Sequence, residues 1–126
     1  MQTILTDFYT LKSHQTTETG TWIAQISLNE NHDIFKGHFP GNPVTPGVCM
    51  MQIIKELTEK FTDTKLFLKS ATNVKFMAII NPFETPDLEI QLDIKQTDEE
   101  VKVKNVSLFG ETIALKMSAH YNKILS

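Results

Sequence analysis

One segment of this chain reads as a helix, and its apolar face is too wide for a helix lying on a surface. At about 100° per residue, Cys49, Met50, Ile53, Ile54, Leu57 and Phe61 form a broad arc across residues 48–61. Val48, Gln52, Lys55, Glu56 and Glu59 gather on the opposite side. In a chain of 126 residues, a sheet curled around such a helix is the economical way to cover that arc.

The remaining sequence supplies the sheet. Thr21–Leu28 alternates, with Trp22, Ala24, Ile26 and Leu28 on one side, and predicts a half-buried strand. A long loop then runs from Asn29 to Gly47. After the helix, Leu66, Leu68, Val74, Phe76, Ala78 and Ile80 place apolar residues at even positions, and Leu88, Ile90, Leu92 and Ile94 alternate with Glu89, Gln91, Asp93 and Lys95. Val101 and Val103 give way to Val106 and Leu108, and this phase slip predicts a bulge near Asn105. A turn at Phe109–Glu111 leads into Ile113, Leu115, Met117, Ala119 and Tyr121. The order is strand, long loop, buried helix, then four strands, an α+β pattern. Residues 1–126 show no repeat or linker and read as a single domain. A sheet with one filled face keeps open edges, so edge-to-edge dimerisation is expected.

Composition narrows the function classes. Twelve lysines, with no arginine, face fifteen acids for a net charge of −3. Without Arg forks or a basic excess, a nucleic-acid partner is not expected. The single Cys49 rules out an internal disulfide and a cysteine cluster for zinc, and four scattered histidines offer no ligand spacing, so neither metal nor cofactor is expected. No stretch approaches the roughly 18–20 apolar residues of a membrane span. Residues 1–7 have neither a basic nor an apolar leader, so the expected location is the cytoplasm.

Chemistry concentrates in residues 37–48, Gly37-His38-Phe39-Pro40-Gly41-Asn42-Pro43-Val44-Thr45-Pro46-Gly47-Val48. Its prolines restrict φ, its glycines permit close backbone approach, and the loop ends where the helix begins. A histidine beside a helix N-terminus is a minimal kit for removing a proton next to a thioester carbonyl: one group takes the proton, and unpaired N–H groups stabilise the oxygen. His14, His32 and His120 lack such a setting and read as ordinary structural histidines.

The stretch from Gly37 to Val48 resembles the signature of the 3-hydroxyacyl-acyl carrier protein dehydratases of the FabZ/FabA group. The resemblance runs from about Phe8 to the C-terminus and includes Val74-Lys75-Phe76 before a proline-containing turn. It implies the hot dog fold, an antiparallel sheet wrapped around one long helix, working as a dimer. It further implies dehydration of 3-hydroxyacyl thioesters on acyl carrier protein to trans-2-enoyl thioesters, in fatty acid or polyene-type biosynthesis. His38 would be the base. Phe39, Pro46, Gly47 and Val48 would be the substrate-binding residues, the thioester oxygen being held by backbone N–H near Gly47 and Val48.

At one position the chain departs from the family. The family's glutamate, which protonates the departing hydroxyl from the other subunit, falls on Gln52, and a neutral amide has no proton to give at a usable pKa. Glu56 lies about 40° around and about 6 Å along the helix from Gln52. Two readings stay open: the acid has moved one turn to Glu56, or Glu56 is a solvated helix residue. The family's initial helix and its Pro-His-Arg-Tyr-Pro stretch also have no counterpart before Thr10. An enzyme using His38 with Gln52 or Glu56 is therefore weighed against an impaired hot dog subunit that completes a heterodimeric dehydratase, and an acyl thioesterase ranks last. The implied acyl carrier protein is acidic and would meet lysines, with Lys36, Lys69 and Lys75 as candidates. Met50, Met51 and Phe39 either line an acyl channel or belong to the core.

Overall fold

The alternation in residues 21–28 and 87–123 is realised as strands, and the wide apolar arc as the helix they enclose. The computed structural model describes residues 7–36 and 44–124. In chain order these form β1 (Tyr9–Thr16), β2 (Thr21–Leu28), α1 (Asp33–Lys36), α2 (Gly47–Thr62), β3 (Leu66–Phe76), β4 (Asp87–Gln96), β5 (Glu100–Phe109) and β6 (Thr112–Lys123). The six strands form one sheet in the order β1-β2-β4-β5-β6-β3, and every pairing is antiparallel. Cys49, Met50, Ile53, Ile54 and Leu57 of α2 are buried in one core with Ile26, Leu88, Ile90, Leu92, Leu115 and Met117 of the sheet. This is the hot dog arrangement. Phe61, at the far end of the arc, is half-buried and stacks on Trp22, ring centroids 4.3 Å apart.

Two elements go beyond the sequence reading. β1 shows no alternation because it is an edge strand: only Tyr9 and Leu11 lean on the core, and most of its other residues are exposed. The loop after β2 contains the short α1, whose Phe35 is buried and stacks on Phe8 at 5.2 Å.

Two expectations about strand phase are corrected. The bulge expected near Asn105 is absent, since β4 and β5 pair in unbroken register through that residue. The inward positions are instead Val101, Val103, Asn105 and Ser107, all buried, and the irregularity falls between Ser107 and Leu108 against β6. The apparent slip comes from two polar residues holding core positions. Asn105 Nδ2 donates to the Gln91 carbonyl at 3.1 Å, and Ser107 Oγ donates to Asn105 Oδ1 at 3.1 Å. These bonds are what make polar burial tolerable.

In β3 the expected even-position alternation survives only at Leu66 and Leu68. Register shifts follow at Leu68/Ser70 and Thr72/Lys75, and Asn73 sits at φ 52°. Val74 and Phe76 are consequently exposed, while Ile80 is buried beyond the strand. Because β3 closes one side of the sheet, its outer edge is unpaired.

Candidate functional site

Everything the structure brings to the expected site is built on the first turns of α2. Thr45 is tethered by its N–H to the Ile80 carbonyl at 2.9 Å. Pro46, extended at φ −60° and ψ 143°, caps the helix without a side-chain hydrogen bond. Its carbonyl accepts from the N–H of Cys49 at 3.0 Å and of Met50 at 3.3 Å. Among the described residues, the N–H groups of Gly47 and Val48 find no partner. They are the orphan donors a helix start always leaves, and they sit at the positive end of its dipole.

Gly47 lets the half-exposed Phe76 side chain come close to the backbone, and an added Cβ would displace the end of that ring. A Cβ at this residue would lie 2.6 Å from Cζ of Phe76, whose ring packs over the first turn. Val48, next along, is 70% exposed. Thr45 Oγ1 is buried without a hydrogen-bond partner among the described residues.

A groove of about 340 Å³ runs along the outer side of α2, lined by Val48, Met51, Gln52 and Lys55 of the helix and by Leu68, Met117 and Tyr121 of the sheet. Gln52 thus faces the groove. Glu56, one turn further, is not among the lining residues. It is engaged on both carboxylate oxygens: Tyr9 Oη donates to Oε1 at 3.0 Å, and Gln52 Nε2 donates to Oε2 at 3.0 Å. Burial first, then the charge and hydrogen bond of Glu56 and the charge of Glu59, push the Tyr9 phenol well above its usual range, so it stays a donor. Of the other polar liners, Lys55 lies 3.5 Å from Glu59, and Tyr121 is a buried phenol. Glu59 also accepts the Leu66 N–H at 2.8 Å and so ties the start of β3 to the helix.

The remaining sequence candidates are placed as follows. His38 and Phe39 lie outside the described residues, as do residues 37–43 generally. Met50 is fully buried in the core, whereas Met51 is half-buried and lines the groove. Cys49 is buried, which pushes its thiol pKa up. His14 lies against Phe61 and Trp22, with centroids at 5.2 and 5.8 Å. His32 Nδ1 accepts the Ile34 N–H at 3.1 Å. His120 lies on the outer sheet face, its Nε2 3.1 Å from Glu100 Oε2; the contact is a proximity of charge when the ring is protonated, not an aligned hydrogen bond. No trio of metal-ligating side chains occurs among the described residues.

Of the lysines singled out, Lys36 lies 3.4 Å from Asp33 and Lys69 3.8 Å from Glu100. Lys75 stands directly across from Lys116. A second group emerges only from the register. Lys95 and Lys102 are cross-strand partners, and with Lys104, Ser70, Thr72 and Ser118 they border an open hollow of about 530 Å³ on the outer face. Alternation marked Lys95 as outward-facing, but strand order was needed to bring the three lysines together. Tyr9 carried no sequence signal, since its partner Glu56 is 47 residues away on another element.

Residues 13–113 match the ApeI-like family, described as ApeI dehydratase. The chain is 29% identical over 104 residues to the 3-hydroxyacyl-[acyl-carrier-protein] dehydratase FabZ of Levilactobacillus brevis, covering 77% of this chain and 68% of that protein. It is 33% identical over 91 residues to the FabZ dehydratase of Clostridium acetobutylicum, covering 67% of this chain and 59% of that one. Across such relatives it spans roughly 56–69% of their length. Among solved structures, the dehydratase heterocomplex ApeI:P from Xenorhabdus doucetiae superposes with a TM-score of 0.68 at 16% identity, covering 92% of this chain and 97% of that one, a likeness of fold. With a family match over most of its length and the helix-in-sheet architecture on which that family is built, this chain belongs to the ApeI-like, FabZ-related hot dog dehydratases.

Proposed function

We propose that the chain acts in dehydration of 3-hydroxyacyl thioesters carried on acyl carrier protein, giving trans-2-enoyl thioesters for fatty acid or polyene-type biosynthesis. The observation that carries this reading is the start of α2. Two N–H groups without a partner among the described residues, on Gly47 and Val48, begin the helix beside the groove, directly after the histidine-bearing stretch of sequence. His38 removes the α-proton, and the electron pair moves into the thioester carbonyl, whose oxygen the two N–H groups stabilise. The enolate then expels hydroxide, which leaves as water once it is protonated. The thioester itself is the electron sink, so the reaction calls on no cofactor.

The source of that last proton favours a second, linked reading. Gln52 faces the groove, and Glu56 is held behind it with both oxygens occupied. The acid is therefore supplied by a related hot dog subunit, with this chain contributing His38 and the helix start. The exposed apolar rim formed by Val48, Phe76, Met77, Ile79 and Phe83 supports such pairing, as does the heterocomplex formed by the ApeI relative. For the carrier protein, the hollow of β4 and β5 gathers Lys95, Lys102 and Lys104 against one acid, Asp93, whereas Lys36 and Lys69 each have an acid within 4 Å.

The test is dehydration of a 3-hydroxyacyl carrier-protein thioester by the purified chain, alone and with a homologous hot dog subunit bearing the family glutamate. Activity only in the mixture, abolished by His38→Ala, is the expected result. Full activity of the chain alone, lost in Glu56→Gln, would return the acid to Glu56. Release of free thiol without enoyl product would establish a thioesterase instead.

A further inference from the structure

We infer that Tyr9 and Glu56 are positioning residues that turn the side-chain carbonyl of Gln52 into the groove, where it accepts a hydrogen bond from the hydroxyl of the substrate. This rests on the hydroxyacyl reading above and adds how the hydroxyl is recognised.

An ionised carboxylate can only accept hydrogen bonds. Whatever faces Glu56 Oε2 must therefore be the amide NH₂ of Gln52, and the contact is Nε2 to Oε2 at 3.0 Å. The amide is planar, so fixing Nε2 on Glu56 directs Oε1 to the other side of the group. Gln52 lines the groove and Glu56 does not, which makes Oε1 the part of the amide available to a ligand. Tyr9 completes the arrangement. By donating to Oε1 of Glu56 at 3.0 Å, it prevents the carboxylate from rotating to release Gln52.

The surroundings make this acceptor selective. Val48, Met51, Leu68 and Met117 are apolar, and Lys55 is engaged by Glu59. An acyl chain is accommodated by these walls, and a hydroxyl on that chain meets the oriented carbonyl of Gln52; the other hydroxyl-bearing liner is Tyr121. A carbonyl that accepts from the hydroxyl holds it without protonating it, consistent with an acid that arrives from another subunit.

The test uses the intact chain and two probes, the N-acetylcysteamine thioesters of 3-hydroxyoctanoate and of octanoate. Wild type should bind the hydroxylated probe about five- to tenfold more tightly, the worth of one hydrogen bond. Tyr9→Phe, which keeps the ring and its packing, should bring that ratio toward one without weakening octanoyl binding, and Gln52→Leu should abolish the preference. The Gln52 side-chain NH₂ resonances should also move in Tyr9→Phe and Glu56→Ala without any ligand. A preference unchanged in Tyr9→Phe, or amide resonances indifferent to both substitutions, would overturn the inference. If neither probe binds, the hydroxyacyl reading falls, and the amide resonances alone decide whether Tyr9 and Glu56 orient Gln52.

Discussion

Asn105 shows how a single residue can hide a strand's phase. Its neighbours Val101 and Val103 mark the inward face, and Asn105 keeps to that face because Gln91 and Ser107 satisfy its amide. Asn105→Ala strips the Ser107 hydroxyl and the Gln91 carbonyl of their partner inside the core, and should cost about 1–3 kcal/mol. Replacing both as Asn105→Val with Ser107→Ala should recover the part of that loss due to the Ser107 hydroxyl, leaving only the Gln91 carbonyl short of a donor. Urea midpoints at constant m-value distinguish the two cases.

Tyr9 and Tyr121 carry a second prediction at this scale. Burial, with nearby Glu56 and Glu59 for Tyr9 and Glu59 for Tyr121, raises both phenols above the value they have in the unfolded chain. A raised folded pKa means that the unfolded state releases its proton first. Stability is then fully present at neutral pH and declines as pH climbs above about 10, the unfolded value. Tyr9→Phe should make that alkaline decline shallower, as read by denaturant melts across pH 8–11.

At the scale of elements, α2 ends on Asp63 in the left-handed conformation at φ 52°, its N–H directed to the carbonyls of Glu59 and Lys60. A glycine there avoids the Cβ penalty and removes a negative charge from the negative end of the helix. Asp63→Gly should therefore stabilise the chain by about 0.5–1 kcal/mol, seen as a raised thermal midpoint. The strands most legible in sequence are those with one face on the core: β2, β4, β5 and β6. The two edge strands were the least legible. β1 has too few inward residues to set a period, and β3 loses its phase to two register shifts that depend on its fit to β6. Alternation reports burial, and an edge strand is buried too little to show it.

For the whole molecule, the apolar rim beside α2 is the feature with most consequence. Ile79 is 69% exposed and Phe76 54%, both near the open edge of β3. A second hot dog chain covering them should make the functional species a dimer. Phe76→Glu combined with Ile79→Glu should leave the fold intact by circular dichroism and halve the mass seen by light scattering. If the chain is monomeric alone, the same substitutions should block its capture by the glutamate-bearing partner subunit.

The sequence by itself determined the class of the molecule. One wide apolar arc demands an enclosing sheet, and the alternating segments that follow can only be its strands. It also carried the resemblance that points to His38 and to the start of the helix, since a stiff, glycine-bearing loop running into a helix is a local pattern. What only the tertiary structure decided is the company each polar group keeps. Tyr9 and Glu56 lie on different elements, Lys95 and Lys102 are joined by strand register, and Phe76 reaches Gly47 across the fold. Such contacts depend on how strands are ordered and how the helix is rotated within the sheet, and these are settled by packing the whole core together.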